Sequence, residues 1–173
     1  MRYPVGLVIL GMLVGSAQAF AETATAVIAG TADNSPISGT ATLTDTAEGL
    51  AVDLHIANAP PGQHGLHFHE HGSCADGGQA AGGHYNPGGA KHGLLPRDGF
   101  AGAHAGDLGN MEIGLDGSGT LALTLPGLIV TGDYGYPVVD HAIILHEKPD
   151  DFGQPTGNAG GRIACGVIEV AKP

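Results

Sequence analysis

Beyond the first twenty or so residues, apolar and polar positions alternate in short runs, and a helical repeat is hard to find. Thr23–Ala29, Gly39–Thr44 and Leu50–Ile56 read as three successive strands, with turns over residues 31–36 and 45–49. A proline-containing turn at 58–62 leads into a fourth strand, His64–His71, followed by a glycine-rich stretch from about Gly72 to Gly106. Asn110–Leu115 and Gly119–Leu125 flank the turn pair Asp116-Gly117, and His141–His146 and Ile163–Val170 bracket a second irregular stretch. Eight short strands with almost no helix predict an all-β fold, an eight-stranded antiparallel Greek-key barrel or sandwich with two long functional loops. Loops of that length in a compact domain are usually functional or disordered.

The pattern changes at the start of the chain. Met1 and Arg2 are followed by an almost wholly apolar run, Val5–Val14, and by the small-residue sites Ala17-Gln18-Ala19 and Ala19-Phe20-Ala21. This predicts a signal peptide over residues 1–21, cut after Ala21 with Ala19 as the alternative, and one domain over 22–173. The apolar run is too short to span a bilayer, and no cysteine follows it, so stable membrane association is not expected. Export to the periplasm is the expectation, with the extracellular space as the alternative. An oxidising compartment allows the only two cysteines, Cys74 and Cys165, to form a disulfide; two free thiols or metal ligation is the rival reading.

Composition narrows the function. The formal net charge of −11 argues against nucleic acid and anionic membranes as partners. The 31 glycines follow no collagen-like period and point to many turns. All ten histidines fall between positions 55 and 146. His67 and His69, two apart on one strand, share a face, while Phe68 points the other way into a core. The long loop brings His84, His92, His104 and Asp107, and three nitrogens with one oxygen suit a closed tetrahedral zinc site. His67, His69 and His146 form a second, all-imidazole set that suits copper or zinc, and His84 would join the two sets if it used both ring nitrogens.

Five segments carry a resemblance: GLHFHEHGSC from Gly65, GGHYNPGGAKHG from Gly82, HAGDLGN from His104, HEKPDDFG from His146 and TGNAGGRIACGVI from Thr156. In order and spacing they resemble the copper/zinc superoxide dismutases. The resemblance implies copper on His67, His69, His84 and His146, and zinc on His84, His92, His104 and Asp107, with His84 bridging and taking part in proton delivery. It implies a Cys74–Cys165 disulfide and Arg162 beside copper attracting the superoxide anion; because a strongly acidic chain repels anions, Lys148 is read in addition as a further positive charge at that throat. It also implies that Asp150 links His67 to His92 and that His64 supports the copper ligands. The implied reaction converts superoxide to dioxygen and hydrogen peroxide by copper redox cycling. The alternative is a copper- and zinc-buffering protein without turnover.

Departures from the family pattern are also legible. The stretch from His146 to Arg162 is shorter than in eukaryotic relatives, with Gln154 and Pro155 where those carry a charged Glu/Lys cluster. The four residues between His69 and Cys74 look bacterial and exported, whereas HEKPDD is closer to the eukaryotic pattern. The oligomeric state is therefore left open between homodimer and monomer. His71 shares strand parity with His67 and His69 and reads as a surface residue, with an accessory metal contact as the alternative. His55 and His141 read as ordinary strand or edge residues.

Overall fold

The computed structural model describes residues 21–172. The predicted signal peptide falls, apart from Ala21, on residues 1–20 and lies outside the described residues. Strands β1 (Thr23–Gly30), β2 (Ser38–Thr46) and β3 (Gly49–Ala57) form a meander. Their alternation is the cause: Ala24, Ala26 and Ile28 of β1 and Leu50, Val52, Leu54 and Ile56 of β3 are buried, while the residues between are more exposed. β4 (Gly62–His69), β5 (Asp107–Ile113), β6 (Gly119–Leu125), β7 (Leu128–Ile129), β8 (Tyr136–Pro137), β9 (Ala142–His146), β10 (Arg162–Val167) and β11 (Glu169–Val170) complete the strands.

Eight of them run in the hydrogen-bonded order β5-β4-β9-β10-β1-β2-β3-β6, antiparallel throughout. β5 and β6, at the two ends of that path, also contact each other, so the sheet nearly closes on itself. The β3–β4 and β6–β9 connections cross between separated places in the order, which gives the predicted Greek-key barrel. Its interior is filled by residues such as Leu43, Leu54, Leu66, Phe68, Met111, Ile113 and Leu145.

β4 and β9 break the alternating pattern, because both of their faces are buried. Leu66 and Phe68 enter the barrel core, and so do Ile143 and Leu145. The opposite face of β4 carries His67 and His69, which the long loops cover. The site therefore lies on the outer wall of the barrel.

Four local differences from the sequence pattern have physical causes. β4 ends at His69, short of His71, because Glu70 and His71 donate their N–H groups to Gly83 and Ala81 of the returning loop. The last predicted strand divides into β10 and β11 at Ile168, which pairs its backbone with Asp140 and His141. Within the first long loop, Leu95–Gly102 forms a helix, α1, with Leu95 its one buried residue and Gly99 at φ 63° interrupting it. One buried position leaves no repeat to read. The parallel pair β7–β8 is only two residues per strand, below the length at which alternation shows.

The Cys74–Cys165 disulfide forms across 91 residues and ties the start of the first loop to β10.

Candidate metal centre

β4 delivers His67 and His69 to one face, as the two-residue period requires, and β9 ends with His146 beside them. An isolated antiparallel bridge between His69 and His84 folds the glycine-rich loop back onto the barrel wall. One ligand-type atom from each of His67, His69, His84 and His146 then lies within 4.8 Å of the others, and all four residues are buried. The same is true of His84, His92, His104 and Asp107. Both predicted sets come together, and His84 belongs to both.

Hydrogen bonds fix which atom of each ring faces inward. The Nδ1–H groups of His69 and His146 donate to the carbonyls of Gly82 (3.0 Å) and Gly160 (3.3 Å), leaving both Nε2 lone pairs free. His67 uses Nε2 to reach Asp150 Oδ2 at 2.9 Å, and its Nδ1 has no partner. His84 turns Nδ1 toward Asp107 Oδ1 at 2.9 Å, so its Nε2 is left for the other set. His104 Nδ1 lies 3.1 Å from the same oxygen. His92 Nδ1 lies 3.0 Å from Asp107 Oδ2 yet makes no hydrogen bond, being out of line for one.

These contacts test whether the residues fit a metal. The Nε2 atoms of His69 and His146 approach to 3.3 Å, and the Nδ1 atoms of His84 and His104 to 3.4 Å. In the first pair two lone pairs that close need a proton or a cation between them, whereas in the second both nitrogens also face Asp107 Oδ1. Burial disfavours the proton in the first set, pushing His69 down to about 2 and His146 to about 3. Burial likewise lowers His67, and His84 to about 4. With two unpartnered buried nitrogens besides, the donor sets fit metal cations.

Asp107 and Asp150 set the opposite field. Burial alone would raise each carboxyl, but hydrogen bonds from the surrounding histidines and from main-chain N–H groups hold both well below the usual carboxylate range. For His92 burial opposes protonation, and its contacts with Asp107 and Asp150 outweigh it, lifting the ring to about 9. Asp150 spans the two sets: it accepts from His67 Nε2 and from His92 Nε2, each at 2.9 Å. Asn110 braces it by donating to its carbonyl (2.9 Å) and accepting from its N–H (2.7 Å). Only glycine fits at 157, where φ is 76° and a Cβ would fall 1.8 Å from Asp150 Oδ1.

A cavity of about 260 Å³ opens over the His69–His84–His146 side and is also lined by Gln79, Thr156 and Arg162. The Arg162 guanidinium donates to the carbonyls of Gly78 (2.5 Å) and Gly82 (2.6 Å), which hold it on the cavity wall. Lys148 is exposed, and its stem borders Gly160 at the rim.

Residues 37–168 match the family described as copper/zinc superoxide dismutase (SODC). The chain belongs to the copper/zinc superoxide dismutase family. A solved structure titled "Crystal Structure Analysis of the clock protein EA4" is similar at 34% identity and a TM-score of 0.76, covering 92% of this chain and 100% of that one.

In this superoxide dismutase-family chain the remaining histidines separate cleanly. His64 is buried, and its two ring nitrogens lie 2.8 Å from the carbonyls of His146 and Pro60, which ties β4 to the end of β9. His141 packs on Tyr85 with ring centroids 3.9 Å apart, and its Nδ1 faces the carbonyls of His69 and Glu70. His71 is exposed beside Glu70 and joins none of the metal-competent groups among the described residues. His55 faces outward on β3. Sequence reading assigned no role to Asn110, although it closes the HAGDLGN segment, nor to the Gly78, Gly82 and Gly160 carbonyls. Main-chain acceptors carry no residue-type signal.

Proposed function

We propose that the chain dismutates superoxide to dioxygen and hydrogen peroxide, with copper held by His67, His69, His84 and His146 and zinc by His84, His92, His104 and Asp107. One observation carries the reading: a single imidazole, His84, belongs to two buried donor sets, and one of these sets opens to a cavity walled by an arginine. When bound, copper supplies an alternating one-electron acceptor and donor for two superoxide ions, and zinc supplies a fixed charge.

The protein's own groups do the rest. Arg162, fixed by two carbonyls, presents positive charge where a small anion enters. This matters in a chain of net charge −11, which repels anions at long range. At physiological salt the screening length is about 8 Å, so the local guanidinium dominates over distant carboxylates. Hydrogen peroxide contains two protons that superoxide lacks, and His84 Nε2, turned away from Asp107, is placed to hold one. Asp150 keeps the His67 and His92 rings in register with each other. Export belongs to the same proposal: the disulfide and the N-terminal sequence favour the periplasm.

Inhibition of cytochrome c reduction by a superoxide source tests the reading. Protein loaded with copper and zinc is expected to inhibit strongly, and protein loaded with zinc alone is not. Equal activity with zinc alone would sink the redox assignment. Full loading without activity would favour a buffering protein, for which Arg162 at the cavity has no evident use.

A further inference from the structure

His92 occupies a run of chain, Gly88 to Gly93, that belongs to no helix or strand. Its ring is well held, but a ring can be no better placed than the backbone that carries it. The His92 N–H donates to Gln154 Oε1 at 3.2 Å, and the His92 carbonyl accepts from Gln154 Nε2 at 2.8 Å. Among the described residues neither of these main-chain groups has another protein partner. One side-chain amide thus stands in for a neighbouring strand. Asp150 reaches the ring nitrogen and Phe152 stacks over the ring face, with centroids 6.5 Å apart and planes at 19°. Three alternate residues, 150, 152 and 154, grip His92 at ring nitrogen, ring face and backbone.

We propose that Gln154 is a positioning residue for the zinc site, acting through the main chain of His92 and tying the two long loops together. The proposal rests on the zinc reading given above. Gln154 is exposed overall, so its replacement leaves the barrel core untouched.

The experiment compares Gln154→Ala, Gln154→Met and Gln154→Glu in protein loaded with copper and zinc. Zinc transfer to a chromogenic chelator is expected to be about 10- to 100-fold faster in the Ala and Met variants, the usual range for losing an outer partner of a ligand. Glu keeps an acceptor for the His92 N–H and should fall between. Methionine matches the length of glutamine without its hydrogen bonds, so Met behaving like wild type would reduce Gln154 to packing and overturn the proposal. A second readout needs no metal: amide hydrogen exchange at His92 should quicken in the Ala and Met variants of the metal-free protein. Unchanged exchange in both would also overturn it. A wild-type protein that takes up no zinc while the variants still exchange faster would defeat the zinc reading and leave the tie itself standing.

Discussion

At the scale of single residues, Arg162 gives the sharpest test of how an acidic protein receives an anion. Its guanidinium is held by Gly78 and Gly82 and contacts none of the metal-competent side chains by hydrogen bond, so Arg162→Ile should leave copper and zinc content intact. Activity should fall about tenfold or more, and its dependence on ionic strength should flatten, because local fields of this kind raise encounter rates by about 10- to 1,000-fold. Metal analysis and an assay across salt concentrations check both parts; unchanged activity would remove Arg162 from the substrate path. The sequence showed some of this scale and hid the rest. His67 and His69 were readable from the two-residue period. The motif after Thr156 singled out Arg162, and HEKPDD singled out Asp150. Gln154 was noticed only as a departure from a charged cluster, because an amide that binds another loop's backbone leaves no spacing pattern in either segment.

At the scale of elements, most strands were legible whether or not they keep an exposed face. β1, β2, β3 and β6 alternate and were placed within two residues, and so were β4 and β9 although both of their faces are buried, whereas β5, buried over its first three residues, begins at Asp107 and not at the expected Asn110. The loop over Gly72–Gly106 was read as irregular, which missed α1 but caught what matters, since tethers outside regular structure hold it. The disulfide is one tether. In the chain-entropy model a loop of this size is worth roughly 4–5 kcal/mol. Replacing Cys74 and Cys165 together by serine should therefore lower the unfolding free energy of the metal-free protein by a few kcal/mol, read from the urea midpoint. The same change should loosen Gly78 and Gly82, the acceptors of Arg162, so a loss of activity at full metal content should accompany it. An unmoved midpoint would mean that the hydrogen bonds between the loops and the wall suffice without the crosslink.

At the scale of the whole molecule, a cluster of buried neutral imidazoles makes the metal-free fold sensitive to acid. His69, His84 and His146 have folded-state values of about 2, 4 and 3, each depressed by burial from an ordinary 6.5. Below 6.5 the unfolded chain takes up protons at these sites and the folded chain does not. Stability is therefore fully present above about 6.5 and is lost as pH falls below it, down to about 4 for His84, about 3 for His146 and about 2 for His69. Each group contributes up to about 1.4 kcal/mol per pH unit, so these three together give up to about 4 kcal/mol per unit, and His67, also lowered by burial, adds to the same limb. His92 has the opposite sign: raised to about 9, it stabilises below 6.5 and loses that contribution as pH rises through 9. It is protonated in both states between 4 and 6.5, so it does not soften the acid limb. Asp107 and Asp150, held below the ordinary carboxylate range, add a further loss only when pH drops under about 4. The melting temperature of the metal-free protein should accordingly fall steeply from pH 7 to pH 5 and decline more gently from pH 7 to about pH 9. Loading with copper and zinc should shift the acid limb downward, because a bound cation competes with protons for the same lone pairs. A metal-free protein equally stable at pH 5 and pH 7 would mean that these rings already share protons in the folded state, and the case for cations between them would lose its electrostatic basis.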